Sequence, residues 1–318
     1  MSSLIAKRKS AETLSVWWGE NTCEKCSNKA YYAVGDHWYC GVHSRNLKRT
    51  ELRKNPNAAE RTAAILKQRE EIVEAAMFRN RQLPRGCGAL TVAKLRMMRE
   101  PPHVDGVRNV FPNNKHQERK DGFGCASLSP MRLGPVKHGQ PSVPDALTIE
   151  NYHQFNKVFE REVTRDKEDL ATAIVKSSFF TARDAAYRDP VPHRHKFPNE
   201  KGVGGNKNVP LFSLHVAPDG TPRRYTYLES RFFYCHQYEL LAKQQKDFHD
   251  LSAMLKYGYN LQIVGYDGYP VTKPIMEHYL DTERPFGHEM VLYCLLSIPK
   301  PADYPWNIFH AQHRALYE

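Results

Sequence analysis

The sequence predicts an α+β protein in which a small metal-binding element precedes a larger body. Three observations predict it. Two short motifs with metal-ligand spacing lie close to the start. Apolar residues recur at helical spacing between Ala58 and about Gln82. Further on, RRYTYLESRFFYC reads as a strand leading into a helix at Tyr238.

The first element is CEKCSNKAYYAVGDHWYCGVH. Cys23 and Cys26 form a C-x2-C knuckle, and Cys40 and His43 form a C-x2-H pair. Three thiolates and one imidazole can close a tetrahedron around Zn²⁺. Polar and aromatic residues alternate between the pairs, and Gly35-Asp36 supplies a hairpin turn. The picture is a knuckle, a hairpin and a second knuckle opening a helix, which is treble-clef or zinc-ribbon-like. With all four ligands from protein, the zinc is structural and supplies the folding energy that so small an element lacks. His37 is a spare ligand candidate that its hairpin position assigns to packing.

Residues 1–57 are therefore read as the zinc-binding element. Residues 58–122 follow as a basic helix and linker. Ile65, Ile72, Val73, Ala76 and Met77 give the helix an apolar stripe. The segment LTVAKLRMM reads as a short helix. PPHVDGVRNVFPNNKHQERKDG, rich in turn formers and charge, reads as an irregular connection.

Charge is unevenly spread. Residues 1–120 carry 23 Lys and Arg against 12 Asp and Glu, whereas the remainder carries 23 of each. A basic front on a neutral body points to an acidic partner, nucleic acid among them. No apolar run approaches the roughly 18 residues of a membrane span, and MSSLIAKRKS has no signal core, so a soluble intracellular protein is expected. Seven cysteines, an odd number, argue against a disulfide framework.

Residues 123–318 carry an ordered series of motifs. Leu128-Ser129-Pro130 comes first, then ENYHQFNK from Glu150 to Lys157. A helical run from Tyr238 to Leu255 follows, then GYDGY from Gly265 to Tyr269, and a closing run from His288 to Leu296. This order resembles the NADAR superfamily over about residues 123–298. That family shows an LSNF-like stretch, then S-E-H-x-x-Q-A-x-K, a long helix, an acidic-tryptophan loop and a final helix. ENYHQFNK matches the Glu, Gln and Lys spacing of the second motif. SPM stands where the family has SNF, and tyrosine stands for tryptophan in GYDGY. There is also a resemblance to large-DNA-virus proteins that carry such a body.

The resemblance implies a mostly helical domain with a few short strands. It also implies cleavage of an N-glycosidic bond in an ADP-ribosyl or related nucleotide compound. Breaking such a bond builds positive charge on the sugar, which a carboxylate stabilises while a second acid assists the leaving base. Glu150 is the candidate stabiliser or base. Asp267 and Asp281 compete as the second acid. Tyr152, Tyr266 and Tyr269 are stacking candidates, Gln154 and Lys157 share a helix face with Glu150, and Arg194 in DPVPHRHK is a phosphate-binding candidate. EKGVGGNKN is a second candidate phosphate loop. The competing readings are a non-enzymatic virion or DNA-associated protein that keeps the fold, and a zinc-dependent nucleic-acid-binding regulator.

Overall fold

A computed structural model describes residues 23–26, 32–34, 37–40, 43, 53–54, 88–96, 103–114, 122–164, 173–195 and 210–318. The chain divides into two units, Met1–Asn80 and Arg81–Glu318. The helix expected over 58–82, the GVGG loop, Lys196 and Cys87 lie outside the described residues.

The first unit contains a three-stranded antiparallel sheet. Its strands are β1 (Tyr32–Val34), β2 (His37–Tyr39) and β3 (Arg53–Lys54), in the order β2-β1-β3. The expected pairing of β1 with β2 is present, with Val34 opposite His37.

The second unit is built on a four-stranded sheet in which every pair is parallel. Its strands are β4 (Leu90–Lys94), β5 (Val107–Phe111), β6 (Gly122–Gly124) and β10 (Asn260–Gly265), in the order β4-β10-β5-β6. A smaller antiparallel sheet joins β7 (Lys157–Val158), β8 (Phe212–Val216) and β9 (Pro222–Tyr225) in that order. Seven α-helices accompany these sheets among the described residues. The architecture is thus mixed α/β, richer in parallel sheet than the mostly helical body expected.

Two segments assigned to the linker are strands of this sheet. LTVAK forms β4 instead of a helix, and VRNVF forms β5 instead of irregular chain. Both gain their hydrogen bonds from β10, about 150–170 residues away in sequence. β10 reads NLQIVG and is buried almost throughout, as a strand covered on both faces must be. Its one buried amide, Gln262, donates to Asn109 Oδ1 of neighbouring β5 at 2.8 Å, so the pair satisfies itself inside the sheet.

The helices are α1 (Ile149–Phe155), α2 (Ser177–Tyr187), α3 (Tyr227–Ala242), α4 (Lys246–Lys256), α5 (Ile275–Leu280), α6 (His288–Ser297) and α7 (Pro305–Gln312). α3 begins eleven residues before Tyr238. Thr226 and Glu229 form a reciprocal capping box that stops β9 and starts the helix. α3 packs on α6 and α7, and α6 packs on β4 and β10. The α3–α7 contact is pinned by Glu239, which accepts from Trp306 Nε1 at 2.9 Å and pairs with Lys243 at 2.7 Å. No described helix is long and apolar enough to cross a membrane.

Candidate functional site

The polypeptide leaves β5 at Phe111 and β10 at Gly265, at the same end of the parallel sheet. A cavity of about 310 Å³ lies there, lined by Asn113 and Asn114 after β5 and by Tyr266 and Asp267 after β10. Carboxyl ends of parallel strands are where open α/β sheets build crevices. The volume sits at the small end of the roughly 300–1,000 Å³ typical of ligand sites.

α1 supplies the first wall. Thr148 caps it by accepting from Asn151 N at 3.1 Å, and Glu150 lies in its first turn, where the helix dipole favours a carboxylate. Backbone N–H groups of Ile149 and Glu150 donate to Leu133 and Pro130 carbonyls, tying the helix start to the LSP stretch. Glu150 faces the cavity together with Gln154 and His153. Gln154 Nε2 donates to Glu150 Oε1 at 3.2 Å, and Lys157 Nζ donates to Gln154 Oε1 at 3.4 Å. The single helix face expected for all three is corrected in one respect. α1 ends at Phe155, Asn156 caps it, and Lys157 opens β7 opposite Ser213. The buried Asn156 amide donates to Tyr152 O, which helps end the helix there.

Burial governs the electrostatics. It raises the Glu150 carboxyl above its ordinary range, against the opposing pull of Arg194 and Lys157. Burial lowers Lys157 from 10.5 to about 8, opposed by Glu150 and reinforced by Arg194. His153, its ring tilted against Tyr234 with centroids 4.7 Å apart, is held neutral by burial.

The Lys157 ammonium has a measurable consequence. Below pH 8 it is charged in both folded and unfolded chains, and folding must desolvate it. Between about 8 and 10.5 the unfolded chain binds the extra proton, so stability rises with pH across that window. The gap corresponds to ~3 kcal/mol as an upper bound. Lys157→Met is therefore expected to raise the Tm at pH 7, with a gain that shrinks towards pH 10.5, read by calorimetry at several pH values.

Arg194 reaches the cavity on the 189–195 segment, and α1 also anchors that segment. The buried Asn151 amide nitrogen lies 3.0, 2.9 and 2.9 Å from the carbonyls of Ala186, Asp189 and Val191, and its Oδ1 accepts from His193 N at 2.7 Å. His195 follows, 2.7 Å from Glu162 and stacked on Phe155. Between these anchors Arg194 projects outward, 68% exposed, with its Nε 3.8 Å from Glu150 Oε1.

The opposite wall is a turn and a helix start. Gly268 N donates to Gly265 O at 3.3 Å, closing a tight turn that places Tyr266 and Asp267 on the cavity. Asp267 N donates to Glu289 Oε1 at 3.4 Å. Glu289, in the first turn of α6, is 1% exposed and lies 3.3 Å from His288 Nδ1. Two glycines leave room for it. A Cβ on Gly265 would stand 1.8 Å from Glu289 Oε1, and one on Gly287 would stand 2.9 Å from Oε2. Arg231 closes the far side, its guanidinium over the Tyr227 ring at 4.8 Å. It donates to the carbonyls of Tyr279, Asp281 and Arg284.

Six of the nine cavity residues expected from sequence meet here: Glu150, Gln154, Lys157, Arg194, Tyr266 and Asp267. Three do not line it. Tyr152 is a core residue between His138, Tyr187 and His215. Tyr269 is buried against His278 and under Arg284. Asp281 caps the end of α5 and accepts from Glu283 N. Asp267, rather than Asp281, is thus the aspartate on the cavity. No family model, curated protein or solved structure matches the chain.

Cys23, Cys26, Cys40 and His43 make a separate cluster whose ligand atoms all lie within 4.8 Å of one another. The Cys26–Cys40 sulfurs are 3.8 Å apart, and His43 Nδ1 lies 3.2 Å from Cys23 Sγ and 3.5 Å from Cys40 Sγ. An ideal tetrahedron of sulfurs about zinc has edges of about 3.7 Å, so the four residues can hold a metal ion. His37 is instead bound to Glu24 at 2.8 Å.

Proposed function

We propose that the second unit hydrolyses an N-glycosidic bond of an ADP-ribosyl or related nucleotide compound. The observation that carries this reading is convergence. Glu150, Lys157, Arg194, Tyr266 and Asp267 come from separated stretches of chain, and all line one cavity with both carboxylates present. Glu150 stabilises positive charge at the sugar carbon or takes a proton from water, and burial raises its pKa above the ordinary carboxylate range, which makes it a better base once ionised. Asp267 is the second carboxyl. Arg194, exposed at the rim, is placed for a phosphate, and the aromatic residues Tyr227, Tyr234, Tyr266 and Phe286 in the lining supply apolar surface for a base. The test is release of free base from a panel of N-ribosyl nucleotides by the full-length chain, followed by liquid chromatography. Absence of release from every member defeats the hydrolase reading.

One contact favours a second reading, a non-enzymatic ligand-binding protein associated with nucleic acid or a virion. Arg194 and Glu150 are close enough to neutralise one another. This reading predicts nucleotide binding without turnover.

The Cys3His cluster takes zinc in a structural role, because its four protein ligands leave no open position. The basic surplus over residues 1–120 suits nucleic acid. Native mass spectrometry of the full chain should find one zinc, absent after Cys23→Ser. A strong chelator should remove it while leaving the near-ultraviolet signal of Trp306, in the second unit, in place.

A further inference from the structure

Lys157 is held in the cavity in an unusual way. It is half-buried in the cavity wall, and amines withdrawn from water are usually paired with a carboxylate. Lys157 Nζ instead meets an amide oxygen, Gln154 Oε1 at 3.4 Å, and no carboxylate lies within ion-pair distance of it among the described residues. Glu150, Arg194 and Asp267 are the charged groups near enough to influence it, and Arg194 opposes its ammonium form. Its backbone is strand, paired with Ser213, and Gln154 links the amine to Glu150 by bonding to both side chains. A desolvated amine beside a second cation is the arrangement that makes lysine a nucleophile.

We propose that Lys157 is a nucleophilic amine that captures the open-chain aldehyde of a bound pentose as an imine. The inference rests on the hydrolase reading only in taking a sugar-bearing ligand into this cavity. A hydrolysed N-riboside leaves a hemiacetal carbon at C1, in equilibrium with the aldehyde. The neutral amine's lone pair forms the N–C1 bond, and the carbonyl oxygen takes a proton to give a carbinolamine. That oxygen takes a second proton, from protonated Glu150 or solvent, and leaves as water, while the remaining amine proton returns to Glu150 or solvent, leaving the C=N bond. No redox partner is needed. Attack of water reverses the sequence and returns free sugar and amine. Burial brings this amine to about 8, so the fraction able to react is substantial at mildly alkaline pH and rises through that value. Exposed lysines near 10.4 stay almost wholly protonated there.

The experiment is reductive trapping. The full-length chain is incubated with ribose 5-phosphate and cyanoborohydride at about pH 8, digested, and mapped by mass spectrometry. Cyanoborohydride donates a hydride to the imine and fixes it as a secondary amine. The expected result is labelling of Lys157 at least roughly tenfold above any other lysine. The label should vanish in Lys157→Met, which is expected to fold. Labelling spread evenly over surface lysines, or none at all, overturns the proposal. The mapping is made on the unaltered chain, so the result stands even if the variant fails to fold. Base release and trapping fail independently. Release without a Lys157 label removes the imine alone, and a label without release removes the hydrolase reading alone.

Discussion

Glu150→Gln is expected to reduce base release by about 10²–10⁴-fold while the Tm holds or rises. Glutamine keeps the shape of the side chain and can still accept from Gln154 Nε2 through its amide oxygen. It cannot carry charge or take a proton. Stability should not fall, because the raised pKa means that the fold resists the ionised form. A carboxyl raised on folding contributes most when protonated and loses that contribution as pH rises through its folded pKa, so the neutral amide removes a penalty present at pH 7. The pH dependence supplies a second check. In the unaltered chain the acid limb of kcat/KM should lie above the ordinary carboxylate range. In the variant the residual rate should lose that limb. A variant that retains base release within a few-fold of the original would take Glu150 out of the chemistry.

The legibility of this site in the sequence was uneven, for physical reasons. Glu150 and Gln154 were readable together because helical spacing is local. Lys157 reached the same cavity by another route, through a strand start after a buried cap at Asn156. GYDGY was readable as a turn, since Asp-Gly chemistry is local too. The parallel sheet was not. LTVAK is short enough to suit helix or strand, and what decides it is β10, whose position depends on chain far away. The start of the helix at Tyr227, eleven residues before the expected Tyr238, is legible, because Thr226 and Glu229 stand at capping-box spacing in the sequence itself. Tyr152 and Tyr269 show the opposite error. An aromatic residue near a motif is a stacking candidate by chemistry, but which face it turns to the core is set by neighbours such as His138, His215 and His278. Glu289 gave no sequence signal. An acid in the first turn of a helix is ordinary, and its burial depends on Gly265, far from it in the chain, having no side chain.

Gly265→Ala is expected to destabilise the second unit by about 3 kcal/mol, near the top of the range for overpacking. The added methyl would stand 1.8 Å from Glu289 Oε1, 2.4 Å from its Cδ and 2.5 Å from its Cγ. A carboxylate end is normally free to swing away from such a contact. This one is 1% exposed, with the Asp267 N–H bonded to one oxygen and Gly287 behind the other. Moving it would break the Asp267 bond, and that bond helps hold Asp267 against the cavity. Urea denaturation would measure the loss, and combining the change with Glu289→Ala separates its causes. Glu289→Ala alone should be destabilising, since it empties a packed site and leaves Asp267 N without its acceptor. If the clash is with Glu289, adding Gly265→Ala to that variant should cost far less than it does alone, and the pair should be strongly non-additive. Equal costs in both backgrounds would place the strain elsewhere on β10. The activity of the single variant then bears on the site itself. Because Gly265 is not among the residues lining the cavity, a fall in base release beyond the loss of folded protein would mean that the Glu289–Asp267 contact sets the geometry of the reacting wall.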